Sequence, residues 1–252
     1  MTLPVRDLGD SPDLVVFLDY DGTLVGLRNR PDLARLSRRR RALLEALGGT
    51  AIVAVVTGRS LAEARRLVGL PSLAYIGNHG LEISYKGRAW VHPKAKERRR
   101  DLAAVLKRIR ARTADLAGAI VEDKGLTAGI HYRLLDRANA GRLTRIVHEE
   151  IERRGTALKE TLGKKVVEIR PNVDWDKGRG VLEFLSWLGP GPDRRLIYIG
   201  DDRTDEDAFR ALRRKAITVR VGAPAESKAE FRLPGVSQVW AVLRALAALR
   251  SA

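Results

Sequence analysis

The chain of 252 residues contains no cysteine and no long apolar run, and both absences restrict what it can be. Without cysteine, disulfide bonds and thiolate metal sites are excluded. The longest apolar runs, such as residues 51–56, are far too short to cross a bilayer, which takes about 20 residues. The first residues also lack the apolar core of a signal peptide. We therefore expect a cytoplasmic protein that makes no membrane contact.

Acidic residues are scarce relative to basic ones, which gives a formal net charge of +16 at pH 7. The excess is concentrated between Ser84 and Asn172, where there are 22 lysines and arginines but only 11 acidic residues. Such a balance suggests a nucleic-acid-binding protein, whose affinity would fall steeply with salt. However, the sequence lacks the interleaved aromatic and basic residues that stack on bases. Attraction of a small anionic substrate is the better interpretation, so we expect no nucleic-acid partner.

Short apolar strands alternate with amphipathic helices at both ends of the chain. Near the start, strands are predicted at 14–18, 51–56 and 73–76, and helices at 31–47 and 60–68. Near the end, helices are predicted at 177–188, 205–212 and 239–249, and strands at 195–199 and 217–221. This order predicts an α/β protein with a Rossmann-like parallel sheet that is covered on both faces.

The middle of the chain has a different order of elements. The predicted sequence is a hairpin at 81–85 and 88–91, a helix at 94–116, strands at 119–122 and 127–133, a helix at 138–153, and strands at 156–161 and 165–169. Two successive α-β-β units predict an α+β domain with its helices on one face of a sheet. We expect this domain to be inserted at 84–172 into a core made of 1–83 and 173–252.

Two carboxylates one residue apart, Asp19 and Asp21, follow the first apolar strand and precede a Gly22-Thr23 turn. A carboxylate can take up a phosphoryl group as an aspartyl phosphate. The neighbouring carboxyl can protonate the leaving oxygen and then activate the water that releases phosphate. The alternative is an ordinary strand and Asp-Gly turn without a chemical role, and this pair alone does not decide between the two.

Further groups that suit phosphate chemistry end the other predicted strands or open a helix. Thr57 ends a strand just before a helix start, where a hydroxyl and backbone amides can bind a phosphate oxygen. Lys177 opens a helix, and its cation would neutralise negative charge. Asp201 and Asp202 end a third strand; adjacent acids repel, and Mg²⁺, which prefers oxygen ligands, would relieve that repulsion. Taken singly, Thr57 is more consistent with a plain strand end than with a ligand, and Lys177 with an exposed helix residue.

Taken together, these segments resemble the four motifs of haloacid-dehalogenase-superfamily phosphatases. More narrowly, the chain is similar to trehalose-6-phosphate phosphatases in Leu18-Asp19-Tyr20-Asp21-Gly22-Thr23-Leu24, Thr57-Gly58-Arg59-Ser60, Gly77-Asn78-His79-Gly80-Leu81-Glu82 and Gly200-Asp201-Asp202-Arg203-Thr204-Asp205-Glu206-Asp207-Ala208-Phe209. The similarity runs through nearly the whole chain, and the last block is its most specific part. It implies the haloacid dehalogenase fold with an inserted cap domain that selects the substrate.

The resemblance also implies a role for each matching residue. Asp19 would be the nucleophile and Asp21 the general acid and base. Thr57 and Lys177 would bind the transferring phosphoryl group. The implied Mg²⁺ ligands are the carboxylate of Asp19, the main-chain oxygen of Asp21, and Asp201, with Asp202 and Asp205 in supporting positions. The other core residues expected at the substrate are Gly22, Thr23, Gly58, Arg59, His79 and Asp205.

Segments 121–125, 129–133 and 163–171 resemble the cap of the same family, although more weakly. Glu122 and Lys124 lie two residues apart on one predicted strand, and therefore on one face, where they can converge on a ligand. The alternative is surface ion pairing across a small sheet. The cap residues implied to contact the sugar are Glu122, Lys124, Arg133, Lys164 (for which Lys165 is an alternative) and Glu168.

The leading hypothesis is Mg²⁺-dependent hydrolysis of trehalose 6-phosphate through an aspartyl phosphate. Close alternatives are phosphatases for sucrose 6-phosphate or for mannosyl- or glucosyl-3-phosphoglycerate. A different alternative is a regulatory domain that binds a phosphosugar without turnover, against which the intact catalytic residues argue. We expect a monomer whose ligand is a small sugar phosphate, with a trehalose-6-phosphate synthase as a partner in the pathway.

Overall fold

The computed structural model of the chain describes residues 3–27, 34–163, 165–191, 193–222 and 226–250. The chain divides into two compact units, Met1–Trp90 with Trp175–Ala252, and Val91–Asp174. None of the helices in the described ranges combines the length and the apolar character that spanning a membrane requires.

The helices and strands have the following bounds. Up to residue 91 they are α1 (Val5–Gly9), β1 (Leu14–Asp19), α2 (Arg38–Thr50), β2 (Ile52–Val56), α3 (Leu61–Val68), β3 (Ala74–Gly77), β4 (Glu82–Tyr85) and β5 (Arg88–Val91). From residue 93 to 171 they are α4 (Pro93–Glu97), α5 (Arg99–Arg112), β6 (Ile120–Asp123), β7 (Ala128–His131), α6 (Arg137–Glu152), β8 (Leu158–Gly163) and β9 (Val166–Pro171). The last are α7 (Lys177–Leu188), β10 (Arg195–Gly200), α8 (Asp205–Ala211), β11 (Ile217–Val221), β12 (Phe231–Leu233) and α9 (Val236–Arg250).

The first unit is built on an eight-stranded sheet in the order β12-β11-β10-β1-β2-β3-β4-β5. The strands from β12 to β3 run parallel, and β4 is antiparallel to β3. Strand β1 pairs with β10 on one side and β2 on the other, so their carboxyl ends lie side by side. In an open parallel sheet this is the edge at which ligands bind.

The sheet is buried on both faces, as strand β1 illustrates. Leu14, Val16 and Leu18 pack into one apolar core, which also contains residues of α2, α3 and α9. Val15 and Phe17 pack into a second core, with residues of α7 and α8. Because successive side chains of a strand point to opposite faces, the two cores cover opposite faces of the sheet. The predicted α/β core with a covered parallel sheet is confirmed.

The second unit contains a four-stranded antiparallel sheet in the order β6-β7-β9-β8. Leu106 of α5 and Val147 of α6 pack against Ile130 of β7 in its apolar core. Glu122 and Glu168 are both paired with the residue before Ile130, so they lie on the sheet face away from this core. The prediction of an inserted α+β arrangement with helices on one face of a sheet is confirmed.

Several predicted boundaries are wrong. The helix predicted at 31–47, whose first residues lie outside the described ranges, begins at Arg38 because the Ser37 side chain caps it. The helix predicted at 94–116 is two helices, since Arg98, at φ −80° and ψ −1°, separates α4 from α5. The pattern also misses α1 and β12, which are too short to show a periodicity.

The boundaries of the compact units differ from the predicted domain boundaries at 83/84 and 172/173. They fall at 90/91 and 174/175, because the hairpin β4–β5 continues the sheet of the first unit. Its two turn residues, Lys86 at φ 46° and Gly87 at φ 79°, are both left-handed, as a type I′ hairpin turn requires. It stays a prediction that one domain carries out the chemistry and the other selects the substrate.

Candidate active site

Lys177 lies in the middle of a buried cluster of charges. Its side chain is only 1% exposed, and its Nζ donates to Asp19 Oδ1 and to Asp205 Oδ1, each at 2.8 Å. Burial opposes the charge on the amine, but attraction to these carboxylates and to Asp202 outweighs it. The pKa of Lys177 is therefore raised well above its ordinary value. The result is a fixed cation at the carboxyl end of β1.

The start of α7 brings Lys177 to this position. Asp176 caps the helix, because its Oδ1 accepts a hydrogen bond from the backbone N–H of Arg179 at 2.9 Å. One turn into the helix, Gly180 meets Gly80, and a Cβ on Gly180 would lie 2.4 Å from the Cα of Gly80. Gly80 itself has φ +96°, a conformation that favours glycine. Two glycines therefore allow the first turn of α7 to dock against the loop after β3.

Asp205 uses all the acceptor sites of its carboxylate within the core. Besides Lys177, the hydroxyl of Tyr198 donates to its Oδ1 at 2.7 Å. The backbone N–H groups of Asp201 and Asp202 both donate to its Oδ2 at 3.0 Å. Burial and the Asp205 carboxylate raise the pKa of Tyr198 well above its ordinary value, so the phenol stays a donor. Asp205 therefore supports the loop after β10, and its expected roles near the metal and the substrate stay predictions.

Asp19 and Asp201 fit a divalent cation. One oxygen from each of Asp19, Asp201 and Asp205 lies within 4.8 Å of the other two. Asp19 Oδ2 is buried and has no hydrogen-bond partner in the described part of the chain. Burial and the carboxylates of Asp205 and Asp202 raise the pKa of Asp201 to about 7, and burial raises that of Asp19 despite Lys177. The raised pKa values mean that the ionised carboxylates are disfavoured here. A hard cation that prefers oxygen ligands, such as Mg²⁺, would stabilise these ionised carboxylates.

The residues around Asp201 differ in what they bind: Asp202 binds its own loop, whereas Gly22 and Thr23 lie against the Asp201 carboxylate. Asp202, an expected metal ligand, binds its own loop, since its Oδ1 accepts from the backbone N–H of Thr204 at 2.8 Å and from its hydroxyl at 2.7 Å. A Cβ on Gly22 would lie 2.0 Å from Asp201 Oδ2, and Thr23 Oγ1 donates to Asp201 Oδ1 at 3.3 Å. The Gly-Thr turn after β1 therefore leaves room for the Asp201 carboxylate and orients it.

Asp21 is held by Arg59. The guanidinium donates from Nε to Asp21 Oδ2 at 2.6 Å and from Nη2 to Asp21 Oδ1 at 2.8 Å. It also donates from Nη1 to Glu63 Oε1 at 2.5 Å, and its central carbon lies 5.5 Å from the centre of the Tyr20 ring. Arg59 is buried, whereas the Asp21 side chain is 33% exposed. Arg59 is therefore the partner of Asp21, and its expected contact with the substrate stays a prediction.

The loop after β2 is tied to the loop after β3. Thr57 follows Val56, which pairs with Asp19, so the threonine lies beside the end of β1. The Thr57 carbonyl accepts from the backbone N–H of His79 at 3.0 Å. The His79 ring lies against Gly58, where a Cβ would come within 2.5 Å of it. Thr57, which is expected at the phosphate, thus lies next to Gly58 and His79, which are expected at the substrate.

In the second unit, Glu122, Lys124 and Glu168 lie together on the sheet face away from the helices. Lys124 Nζ is 3.8 Å from Glu122 Oε2 and 3.9 Å from Glu168 Oε1. His131 Nε2 lies 2.8 Å from the same Glu122 oxygen. This cluster combines acceptors and donors as a polyhydroxylated ligand requires. The other expected sugar contacts are Arg133, in an exposed turn after β7, and Lys164, outside the described residues.

The sequence motifs do not indicate the residues that hold the site together. The expected site residues do not include Tyr198, Glu63 and Gly180. Each of these, however, has a feature in the sequence that indicates its structural role. A tyrosine in a buried strand needs a partner for its hydroxyl. A glutamate four residues after an arginine, at a helix start, is placed to pair with it. A glycine inside a helix often marks a close approach of another backbone.

The core site therefore presents side chains that suit phosphoryl transfer. It offers a carboxylate with an unpaired oxygen, a fixed cation beside it, and a second carboxylate two residues later that is partly exposed. This chemistry needs a nucleophile, charge compensation and a proton-transfer group, and these side chains are of the types that can fill those roles.

The family model described as trehalose-phosphatase matches residues 17–237. A protein of Arabidopsis thaliana named probable trehalose-phosphate phosphatase D is 35% identical over 256 residues, covering 96% of this chain and 69% of that protein. A trehalose-phosphate phosphatase of Mycobacterium marinum is 35% identical over 216 residues. These residues cover 83% of this chain, which spans about half the length (54%) of that relative.

Solved structures resemble the chain along nearly its whole length. One described as a trehalose-6-phosphate phosphatase related protein has a TM-score of 0.83 at 26% identity, and covers 93% of this chain and 97% of its own. The C-terminal domain of trehalose-6-phosphate phosphatase from C. albicans has a TM-score of 0.82 at 22% identity, covering 97% and 96%. At that identity the second likeness concerns the fold alone.

Proposed function

Because the chain belongs to the trehalose-phosphatase family, we propose that it hydrolyses trehalose 6-phosphate to trehalose and phosphate in a Mg²⁺-dependent reaction. The observation that carries this proposal is the buried ion pair of Lys177 and Asp19. The second oxygen of Asp19 is buried without a hydrogen-bond partner in the described residues. A purely structural ion pair would be expected to satisfy both carboxylate oxygens, so the unpaired one supports a reactive role.

The proposed reaction has two displacements at phosphorus. In the first, an oxygen of Asp19 bonds to phosphorus as the bond from phosphorus to the sugar oxygen breaks, and Asp21 gives its proton to that oxygen. In the second, Asp21 takes a proton from a water molecule whose oxygen attacks phosphorus, and the bond to Asp19 breaks. Lys177 compensates negative charge in both steps.

Asp19, Asp201 and the main-chain oxygen of Asp21 would hold the Mg²⁺ ion. When bound, the ion neutralises charge on the transferring phosphoryl group. Asp202, whose carboxylate is engaged by Thr204, would act from the edge of this set. The groups proposed to bind the phosphate oxygens are the hydroxyl of Thr57 and the loops that contain Gly22, Thr23, Gly58 and His79.

We assign recognition of the sugar to the cluster of Glu122, Lys124 and Glu168. Its carboxylates would accept hydrogen bonds from sugar hydroxyls, and its ammonium group would donate to them. Lys124 lies within salt-bridge distance of both glutamates, which supports a common ligand. Roles for Arg133 and Lys164 rest on the resemblance alone. A monomeric state, a synthase partner and a cytoplasmic location stay predictions.

The test of the substrate is phosphate release from trehalose 6-phosphate, sucrose 6-phosphate, and mannosyl- and glucosyl-3-phosphoglycerate. We expect trehalose 6-phosphate to have the highest kcat/KM, and EDTA to abolish turnover until Mg²⁺ is restored. A higher kcat/KM on one of the other three sugar phosphates would show that this compound, and not trehalose 6-phosphate, is the preferred substrate. Binding of the sugar phosphate without any phosphate release would favour a regulatory domain.

The assignment of the sugar site has its own test in Glu168→Ala. The variant should lose far more kcat/KM on trehalose 6-phosphate than on p-nitrophenyl phosphate, because the small ester has no sugar to contact. Glu152→Ala, on the exposed side of α6, serves as the control and should change neither value. Equal losses on both substrates would place Glu168 outside the sugar site.

A further inference from the structure

Glu63 and Arg59 form a line of charged side chains that ends on Asp21. Resting on the function proposed above, we infer that Arg59 and Glu63 are positioning residues that fix the Asp21 carboxyl group for proton transfer to the sugar oxygen. Neither residue needs to touch the substrate in this role. Glu63 lies outside every motif that the resemblance covers, so its role comes from the geometry.

The pairing with Arg59 fixes the orientation of the Asp21 carboxyl group and still leaves acceptor sites on both of its oxygens. Two parallel hydrogen bonds, at 2.6 and 2.8 Å, join one guanidinium edge to both carboxylate oxygens. Each carboxylate oxygen has two acceptor sites, so one site on each oxygen remains. A third of the Asp21 side chain is exposed, which leaves those sites accessible to a proton.

Arg59 is itself immobilised, and therefore Asp21 takes its orientation from Arg59. Its guanidinium is held from the far side by Glu63 at 2.5 Å. Its carbonyl accepts from the backbone N–H of Asn78 at 2.7 Å, and Asn78 Nδ2 donates to Glu82 at 2.6 Å. Both ends of the arginine are thus tied to the core of the first unit.

Glu63 is equally well placed to act as the anchor. It stands in the first turn of α3, and its backbone N–H donates to the capping hydroxyl of Ser60 at 3.2 Å. The helix start therefore sets the position of Glu63, Glu63 sets that of Arg59, and Arg59 sets that of Asp21. Direct binding of phosphate by Arg59 would instead require the arginine to leave two carboxylates, at the cost of a nearly ideal bidentate pair.

Leaving-group dependence separates positioning of an acid from binding of phosphate. In a two-displacement reaction, kcat/KM reports the steps up to departure of the first product. A sugar oxygen needs a proton in order to leave, whereas p-nitrophenolate is a stable anion and does not. A defect in the acid should therefore lower kcat/KM on trehalose 6-phosphate and spare p-nitrophenyl phosphate. A lost phosphate contact should lower both, because both substrates carry the same phosphoryl group.

The experiment compares Glu63→Gln and Arg59→Lys with Glu45→Gln, a control on the exposed side of α2. We expect losses in kcat/KM on trehalose 6-phosphate of about 10-fold for Glu63→Gln and about 100-fold for Arg59→Lys, from the usual worth of a positioned acid. KM should change little, and the losses on p-nitrophenyl phosphate should stay below about 3-fold. Lysine keeps the charge but cannot form the bidentate pair. Equal losses on the two substrates, or none in Glu63→Gln, would overturn the inference.

A readout without turnover keeps this test distinct from that of the proposed function. The Nε–Hε signal of Arg59 in a ¹⁵N NMR spectrum is identified by its loss in Arg59→Lys. It should move in Asp21→Asn and in Glu63→Gln, and stay in place in Glu45→Gln. If the Arg59 signal does not move in Asp21→Asn, the pairing of Arg59 with Asp21 is refuted, whatever the substrate is. If the signal moves but trehalose 6-phosphate is not hydrolysed, only the function has failed, and the same leaving-group comparison is made with the sugar phosphate that is turned over.

Discussion

Replacing Lys177 with methionine tests whether the buried cation holds the candidate site together. Methionine keeps most of the volume and removes the charge and its two hydrogen bonds. Asp19 and Asp205, each 2.8 Å from the amine, then lose their shared partner, and Asp201 lies within the same acidic group. The core is left with several carboxylates and no compensating cation, which is the costly way to break a buried ion pair.

The expected magnitude follows from the geometry. At 2.8 Å and an effective dielectric constant of about 20, each contact between Lys177 and a carboxylate is attractive by about 6 kcal/mol. Desolvation of the buried ions offsets much of this, so removal of one partner costs about 3–5 kcal/mol. For a chain of this size, that corresponds to a fall in Tm of about 6–20 °C.

The assay is thermal unfolding in EDTA, so that no cation substitutes for the lost amine. Lys215→Met, at an exposed position after α8, is the matched control and should change stability by less than about 0.5 kcal/mol. A second substitution, Asp205→Asn, should recover part of the loss in the Lys177→Met background, because it removes one of the stranded charges. If Lys177→Met unfolds within 1 °C of the wild type, the cation does not stabilise this cluster.

Three further outcomes are expected. Tyr198→Phe should lose about 1–2 kcal/mol of stability and also lower kcat. Its control, Tyr75→Phe, loses an equally buried hydrogen bond to the carbonyl of Leu70 and should lose only stability. An unchanged kcat in Tyr198→Phe would show that the Tyr198 hydroxyl does not support the site. Gly180→Ala should displace α7 and lower both Tm and kcat. Its control, Gly141→Ala, has open space around the new methyl group and should stabilise the protein by about 0.4–1 kcal/mol. If Gly180→Ala changes neither Tm nor kcat, the close approach of Gly180 to Gly80 is dispensable. Mg²⁺ should raise the Tm of the wild type but not that of Asp201→Asn, measured by scanning calorimetry, and an equal rise in both would place the ion elsewhere.

Much of the fold and of the core site is predictable because strand order constrains geometry. The apolar run 14–18 is long enough for a buried strand, and Asp19 and Thr57 follow adjacent parallel strands. Parallel strands place their carboxyl ends at one edge of the sheet, so residues far apart in sequence meet there. Asp201, after the strand on the other side of β1, joins them for the same reason.

The remaining features depend on side-chain direction and on backbone contacts, which sequence spacing does not define. Arg59 stands in a segment that we expected to contact the phosphorylated substrate, yet its guanidinium turns toward Asp21 and Glu63. Asp205 stands in the most specific motif, yet its carboxylate points into the core and meets Tyr198. Both outcomes follow from burial, because a buried charge takes whichever partner satisfies its hydrogen bonds.

The most direct test of the account is phosphate release from trehalose 6-phosphate by the wild type and by Asp19→Asn, both with Mg²⁺. If Asp19 is the nucleophile, the variant should release phosphate no faster than a solution without enzyme, while its far-ultraviolet circular dichroism stays that of the wild type. Undiminished phosphate release by a correctly folded Asp19→Asn variant would contradict the aspartyl-phosphate mechanism and the assignment of this site.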